Sequence, residues 1–184
     1  MSSDPVPTPP PLADANGRAL IIAVIGGGAP PASAIPLAEE VGRELACAGA
    51  TVVCGAGGGV MEAVCRGAKE AGGTTIGILP GSDPADANGH VDIPICTGMG
   101  YARNVIVVKT GRAVIAVDGA YGTLSEIGHA LGDGIPVIGL KTWQLPRRDD
   151  LPLQVVHADT PAEAVALAIE AAQQRDARER TRLH

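Results

Sequence analysis

The chain contains no phenylalanine, and its only aromatic side chains are Tyr101, Tyr121 and Trp143. A core without rings has to come from Ala, Val, Ile and Leu, which make up most of the 46% hydrophobic content. So few rings provide no stacking platform for single-stranded nucleic acid. Positive charge is short as well: 14 Lys and Arg against 20 Asp and Glu leave a formal net charge of −6. No global basic field therefore draws a polyanion, and nucleic acid is not an expected partner. A small anion stays within reach, because backbone N–H groups bind one without side-chain charge.

Cysteine is also scarce. The four stand at 47, 54, 65 and 96 and form no C-x-x-C pair. That excludes the disulfide framework of a small secreted domain and points to a reducing, cytoplasmic setting. Cys47 and Cys54 lie in apolar runs and read as small buried hydrophobes. The histidines at 90, 129, 157 and 184 show no metal-ligand spacing, so neither a metal site nor a cofactor is expected. No apolar run reaches the ~18 residues of a membrane span, so a membrane is not an expected partner. The N-terminus lacks the charged and apolar regions of a signal peptide.

What the chain does have is glycine, 25 residues, set in a regular alternation of segments. Residues 1–17 are Pro-rich and read as a disordered leader. Residues 18–175 form a single domain, and 176–184 a charged tail that frays beyond the last helix. Within the domain, "ALIIAVIG" (19–26) is a continuous apolar, β-branched run, the mark of a buried parallel strand. Residues 34–49 follow with Leu37, Val41, Leu45 and Ala48 on one helical stripe. Strands are expected at 51–55, 74–80, 113–119, 135–140 and 153–159, with a short extended piece at 91–97. Helices are expected at 60–73, 101–111, 123–132 and 161–174, the last with Thr160 as N-cap and Pro161 at N1. This order predicts an α/β, Rossmann-like, doubly wound and mostly parallel sheet with helices on both faces. Ligands of such folds sit at the carboxyl ends of the strands.

Three Gly-rich turns follow strands. "GGGAPPAS" after the first is not G-x-G-x-x-G, so the dinucleotide fingerprint fails there. In "CGAGGGVME", Gly57, Gly58 and Gly59 either let a ligand approach the backbone or serve a tight turn. In "DGAYGTLSE", Gly119, Ala120, Tyr121, Gly122 and Thr123 precede a helix whose first N–H groups could converge on a phosphate. Thr123-x-x-Glu126 is equally a capping box, with Thr123 as N-cap. On a helical wheel Ile127 and Leu131 fall within about 60° of Leu124, and Glu126 about 160–200° away, off the apolar face.

Together "CGAGGGVMEAVCRGAKEAGGTTIGILPG", "GMGYARN" and "DGAYGTLSE" resemble the Lonely Guy type of phosphoribohydrolase. Those enzymes cleave the N-glycosidic bond of nucleoside 5′-monophosphates. The resemblance spans about residues 19–174. It implies that Gly119–Thr123 bind the 5′-phosphate of a nucleotide such as AMP and that Arg103 lies by the phosphate and ribose. It also implies that Glu126 is the catalytic carboxylate and that Gly57–Gly59 face the nucleotide. Tyr101 becomes a neighbour of the base or a packing residue. Asp118 stands where the family signature has Pro, Ala120 replaces its second Gly, and Asn104, also at a nucleotide-binding position, replaces Lys. These departures resemble a neighbouring branch that includes molybdenum-cofactor carrier proteins, so hydrolysis and non-catalytic carriage both stay open. A homodimer is expected from the apolar "RNVIVVKT" and from the family.

Overall fold

The computed structural model describes residues 10–14, 16–151 and 153–182. Among the described residues the β-branched runs form seven strands: β1 (Ile21–Gly26), β2 (Thr51–Cys54), β3 (Thr75–Leu79), β4 (Ile93–Cys96), β5 (Ala113–Val117), β6 (Val137–Leu140) and β7 (Val156–Ala158). All pairings are parallel, in the order β4-β3-β2-β1-β5-β6-β7. The chain winds outward from β1 to β4, then crosses to β5 and winds the other way. The switch point lies between β1 and β5, which pair from Ile22↔Ala113 to Gly26↔Val117. The expected α/β doubly wound sheet is the observed one.

Helices α1 (Ala34–Cys47), α2 (Val60–Glu70) and α5 (Pro161–Arg182) pack on one face. Helices α3 (Asn104–Thr110) and α4 (Tyr121–Gly132) pack on the other. Period-two alternation divides each central strand between them: Ile22 and Val24 face the first layer, Ala23 and Ile25 the second. Small residues let the elements approach closely. A Cβ at Gly42 would stand 2.0 Å from the Val64 carbonyl of α2, and one at Gly67 only 1.9 Å from the Glu39 carbonyl of α1.

Several expectations need correction. Helix α4 starts at Tyr121, not Thr123; Ala120 is its N-cap and no side chain caps it. The Thr123–Glu126 capping box is therefore not formed. Cys47 is exposed at the end of α1, whereas Cys54 is buried with its sulfur 3.4 Å from that of Cys65. Helix α5 runs on to Arg182, into the stretch read as a tail. Asp176 on it is buried and accepts from Arg112 Nε at 2.6 Å, a contact 64 positions away that local periodicity does not reveal. Of the leader, residues 1–9 and 15 lie outside the described residues. Its described end is tied down: the Leu12 N–H donates to Gly49 O at 2.8 Å, and Leu12 O accepts from the Leu20 N–H at 2.7 Å. Among the described residues no helix is long and apolar enough to cross a membrane.

Candidate functional site

A cavity of about 300 Å³ opens at the carboxyl end of the sheet, over the switch point. Its floor is Val24 to Gly28, the end of β1 and the turn after it; Gly55 and Met61 close one side. Tyr101 and Arg103 enter from the segment leading into α3, Asn104 from its first position, and Ala120, Gly122, Thr123 and Glu126 from the start of α4. Seven of the residues singled out from the sequence therefore meet here: Tyr101, Arg103, Asn104, Ala120, Gly122, Thr123 and Glu126.

Five others stand outside the lining. Gly59, with φ +64°, is the N-cap of α2, and the Gly27 and Gly28 carbonyls pack where its Cβ would be, 2.5 and 2.6 Å away. The Val60 N–H donates to Gly27 O at 3.1 Å, so the start of α2 is engaged by the first glycine turn. Gly57 O accepts from Asn88 Nδ2 at 2.9 Å, and Gly58 lies between these two glycines. Gly119, φ +111°, makes room for the Thr123 side chain, which would lie 2.5 Å from a Cβ there. Tyr121 is 81% exposed and leans on Trp143, with ring centroids 5.9 Å apart.

Conversely, Gly26, Gly27, Gly28 and Met61 line the cavity without having been singled out, and Gly55 is the one glycine of the run before α2 that lines it. A signal existed for the first three: a glycine run directly after the first strand of a doubly wound sheet stands at the switch point whether or not it matches a fingerprint. Nothing local marks Met61.

Arg103 is held from two sides. Its Nη2 donates to Gly55 O at 3.0 Å, and its Nη1 donates to Asn104 Oδ1. Gly55 has to be glycine for this, since a Cβ would stand 2.5 Å from Nη2. Asn104, itself buried, supplies an acceptor that a lysine at that position could not. The buried Nε of Arg103 has no hydrogen-bond partner among the described residues. Burial lowers the pKa of the guanidinium, against the raising effect of Glu126.

Glu126 sits one turn into α4, buried at 7% exposure. Burial pushes its carboxyl up to about 7, and the positive charge of Arg103 pulls it back only in part. The cavity thus combines the uncapped first amides of α4, a guanidinium fixed in direction, and a carboxyl poised near neutrality.

Comparison with known proteins follows the same lines. A family model described as the SLOG cluster4 family matches residues 19–170. A cytokinin riboside 5′-monophosphate phosphoribohydrolase of Mycobacterium tuberculosis is 32% identical over 123 residues, 61% of this chain and 65% of that protein. The structure of a molybdenum cofactor binding protein from Rippkaea orientalis superposes with TM-score 0.75 at 35% identity, covering 83% of this chain and 97% of that one. The molybdenum cofactor carrier protein of Chlamydomonas reinhardtii superposes with TM-score 0.73 at 34% identity, covering 83% and 98%.

Proposed function

The chain belongs to the SLOG cluster4 family, and from that premise we propose that its cavity binds a nucleotide-like phosphorylated ligand. The phosphate lies against Ala120–Thr123 at the start of α4. The first amides of that helix and its dipole attract an anion despite the net charge of −6. Arg103, which lines the cavity, brings a positive charge toward the phosphate or ribose. Tyr101, 91% exposed at the rim, is placed to flank a planar base. AMP is the simplest ligand with these parts.

The observation that carries a reaction is the buried Glu126 facing the same cavity as Arg103. Ionised, it stabilises the positive charge that grows on the anomeric carbon as the N-glycosidic bond breaks. Water adds to that carbon, the base leaves with a proton, and the products are free base and ribose 5-phosphate. One bound nucleotide and one water thus become the two products of a phosphoribohydrolase. The similarity to the mycobacterial enzyme supports this reading.

A second reading has its own support. Asn104 spends its acceptor on Arg103, where the hydrolase pattern would supply a second cation. The structural neighbours named as molybdenum-cofactor binding and carrier proteins suggest that the same cavity holds a phosphorylated pterin without bond change.

The deciding experiment incubates the protein with nucleoside monophosphates and follows base release by chromatography. Hydrolysis predicts adenine and ribose 5-phosphate from AMP, with E126Q slower by at least ~100-fold yet still binding AMP. A wild type that binds AMP and releases no base from any nucleoside monophosphate establishes carriage. An E126Q variant as active as wild type removes Glu126 from the chemistry. We further propose a homodimer, with Val105 and Ile106 of α3, half-buried in the single chain, in the contact. Light scattering at micromolar concentration should give twice the monomer mass, and a monomer mass would discard the dimer.

A further inference from the structure

The loop from β5 into α4 is gripped from a neighbouring loop that never touches the cavity. Asp118 has φ +50° and Gly119 φ +111°. A left-handed backbone is costly for an aspartate and persists only where its surroundings hold it. Here the Asp118 N–H donates to Leu140 O at 3.1 Å, and the Thr142 hydroxyl donates to the Asp118 carbonyl. Two residues on, the indole N–H of Trp143 donates to the Ala120 carbonyl at 3.3 Å. That carbonyl also accepts the Leu124 N–H at 3.0 Å, the first hydrogen bond of α4. The Trp143 ring leans on Tyr121 in addition. Both donors come directly after Lys141, itself at φ +54°, where the chain leaving β6 doubles back toward α4.

Neither Thr142 nor Trp143 lines the cavity. What they hold is the stretch Asp118–Ala120, and its shape decides where the free amides of α4 point. Ala120, the N-cap, has no side chain able to fix that geometry. We propose that Thr142 and Trp143 are positioning residues of the anion cradle, setting the preference for a phosphorylated ligand over its dephosphorylated form. This rests on the phosphate-binding reading above. A hydrogen bond lost at each position loosens the loop without removing a group that touches the ligand.

The test uses the full chain and the variants T142V, T142S and W143F. Affinities for AMP and adenosine are measured by calorimetry, and amide exchange across residues 118–124 by mass spectrometry without ligand. T142V and W143F should each weaken AMP by about tenfold, as loss of one hydrogen bond implies, and leave adenosine unchanged. T142S should restore wild-type behaviour. Exchange should rise in 118–124 and stay constant in the strands. Unchanged exchange in both variants overturns the clamp, even if wild type selects AMP. Loosened amides with undiminished AMP affinity overturn the positioning role. A wild type that binds AMP no tighter than adenosine overturns the phosphate reading itself, whatever the exchange data show.

Discussion

The proposed chemistry rests on one carboxyl group, that of Glu126, and its energetics can be separated from any catalytic role. Its folded pKa, about 7, lies above the ordinary carboxylate value of 4.5, chiefly because it is buried. The folded state therefore holds its proton more tightly than the unfolded chain. Stability is unaffected below the unfolded pKa, falls as pH rises through the window from 4.5 to about 7, and stays reduced above it. Glutamine keeps the shape and cannot ionise. E126Q should therefore match wild type near about pH 4 and exceed it near about pH 8, by on the order of 1–3 kcal/mol. Denaturant unfolding across that range checks this, and parallel pH profiles for the two proteins would defeat it. That Glu126 belongs with the glycine-rich turn after the fourth long strand was legible in the sequence; its local geometry was not. The chain carries Thr-x-x-Glu before a helix twice. At Thr160 the pattern is used: Glu163 N–H donates to Thr160 Oγ1 at 3.2 Å, and the Glu163 carboxylate accepts from the Asp159 N–H at 2.8 Å. At Thr123 it is not, because Asp118 and Gly119 turn the chain so that α4 begins two residues early. Positive φ at an aspartate has no sequence mark.

The β5–α4 connection also explains one departure from the hydrolase signature. A proline at 118 would be locked near φ −65° and would lack an N–H. Asp118 sits at φ +50° and donates to Leu140 O. D118P should accordingly cost about 3 kcal/mol or more, a fall in melting temperature of about 6–12 °C for a chain of this size. D118G, which relieves the backbone, should hold or raise the melting temperature. A D118P protein that melts with wild type would mean that the loop adopts the proline-compatible shape at no cost. At this scale the elements themselves were readable, because continuous Val and Ile runs and a 3.6-residue stripe are local properties. The ends were not. The apolar stripe of α5 stops at Ala172, but Arg112 reaches across from the start of β5 to Asp176 and keeps the next turns in place. Likewise β4 is exposed along its length, so only its pairing with β3 identifies it as a strand.

Over the whole molecule, alternation of elements made a parallel sheet legible but left the strand order open. The order determines which turns meet: β1 and β5 are neighbours at the switch point, so the first glycine turn joins the start of α4 in one cavity, and the glycine run before α2 is drawn off to pack against that turn. The same scale governs how charge acts on a ligand. The protein carries −6 overall, so at long range it repels a phosphate, and that repulsion weakens as salt screens it. The proposed attraction comes from α4 amides and from Arg103, which is half-buried and so only partly screened. The two effects oppose each other with rising ionic strength. The dissociation constant for AMP should then change by less than about threefold between about 0.05 and about 0.5 M sodium chloride, as read by calorimetry. Binding through exposed lysines and arginines would instead weaken steeply with salt, as phosphate contacts on a basic surface do. A loss of tenfold or more over that range would place the phosphate on the surface, away from the cavity, and would remove Arg103 and the start of α4 from its recognition.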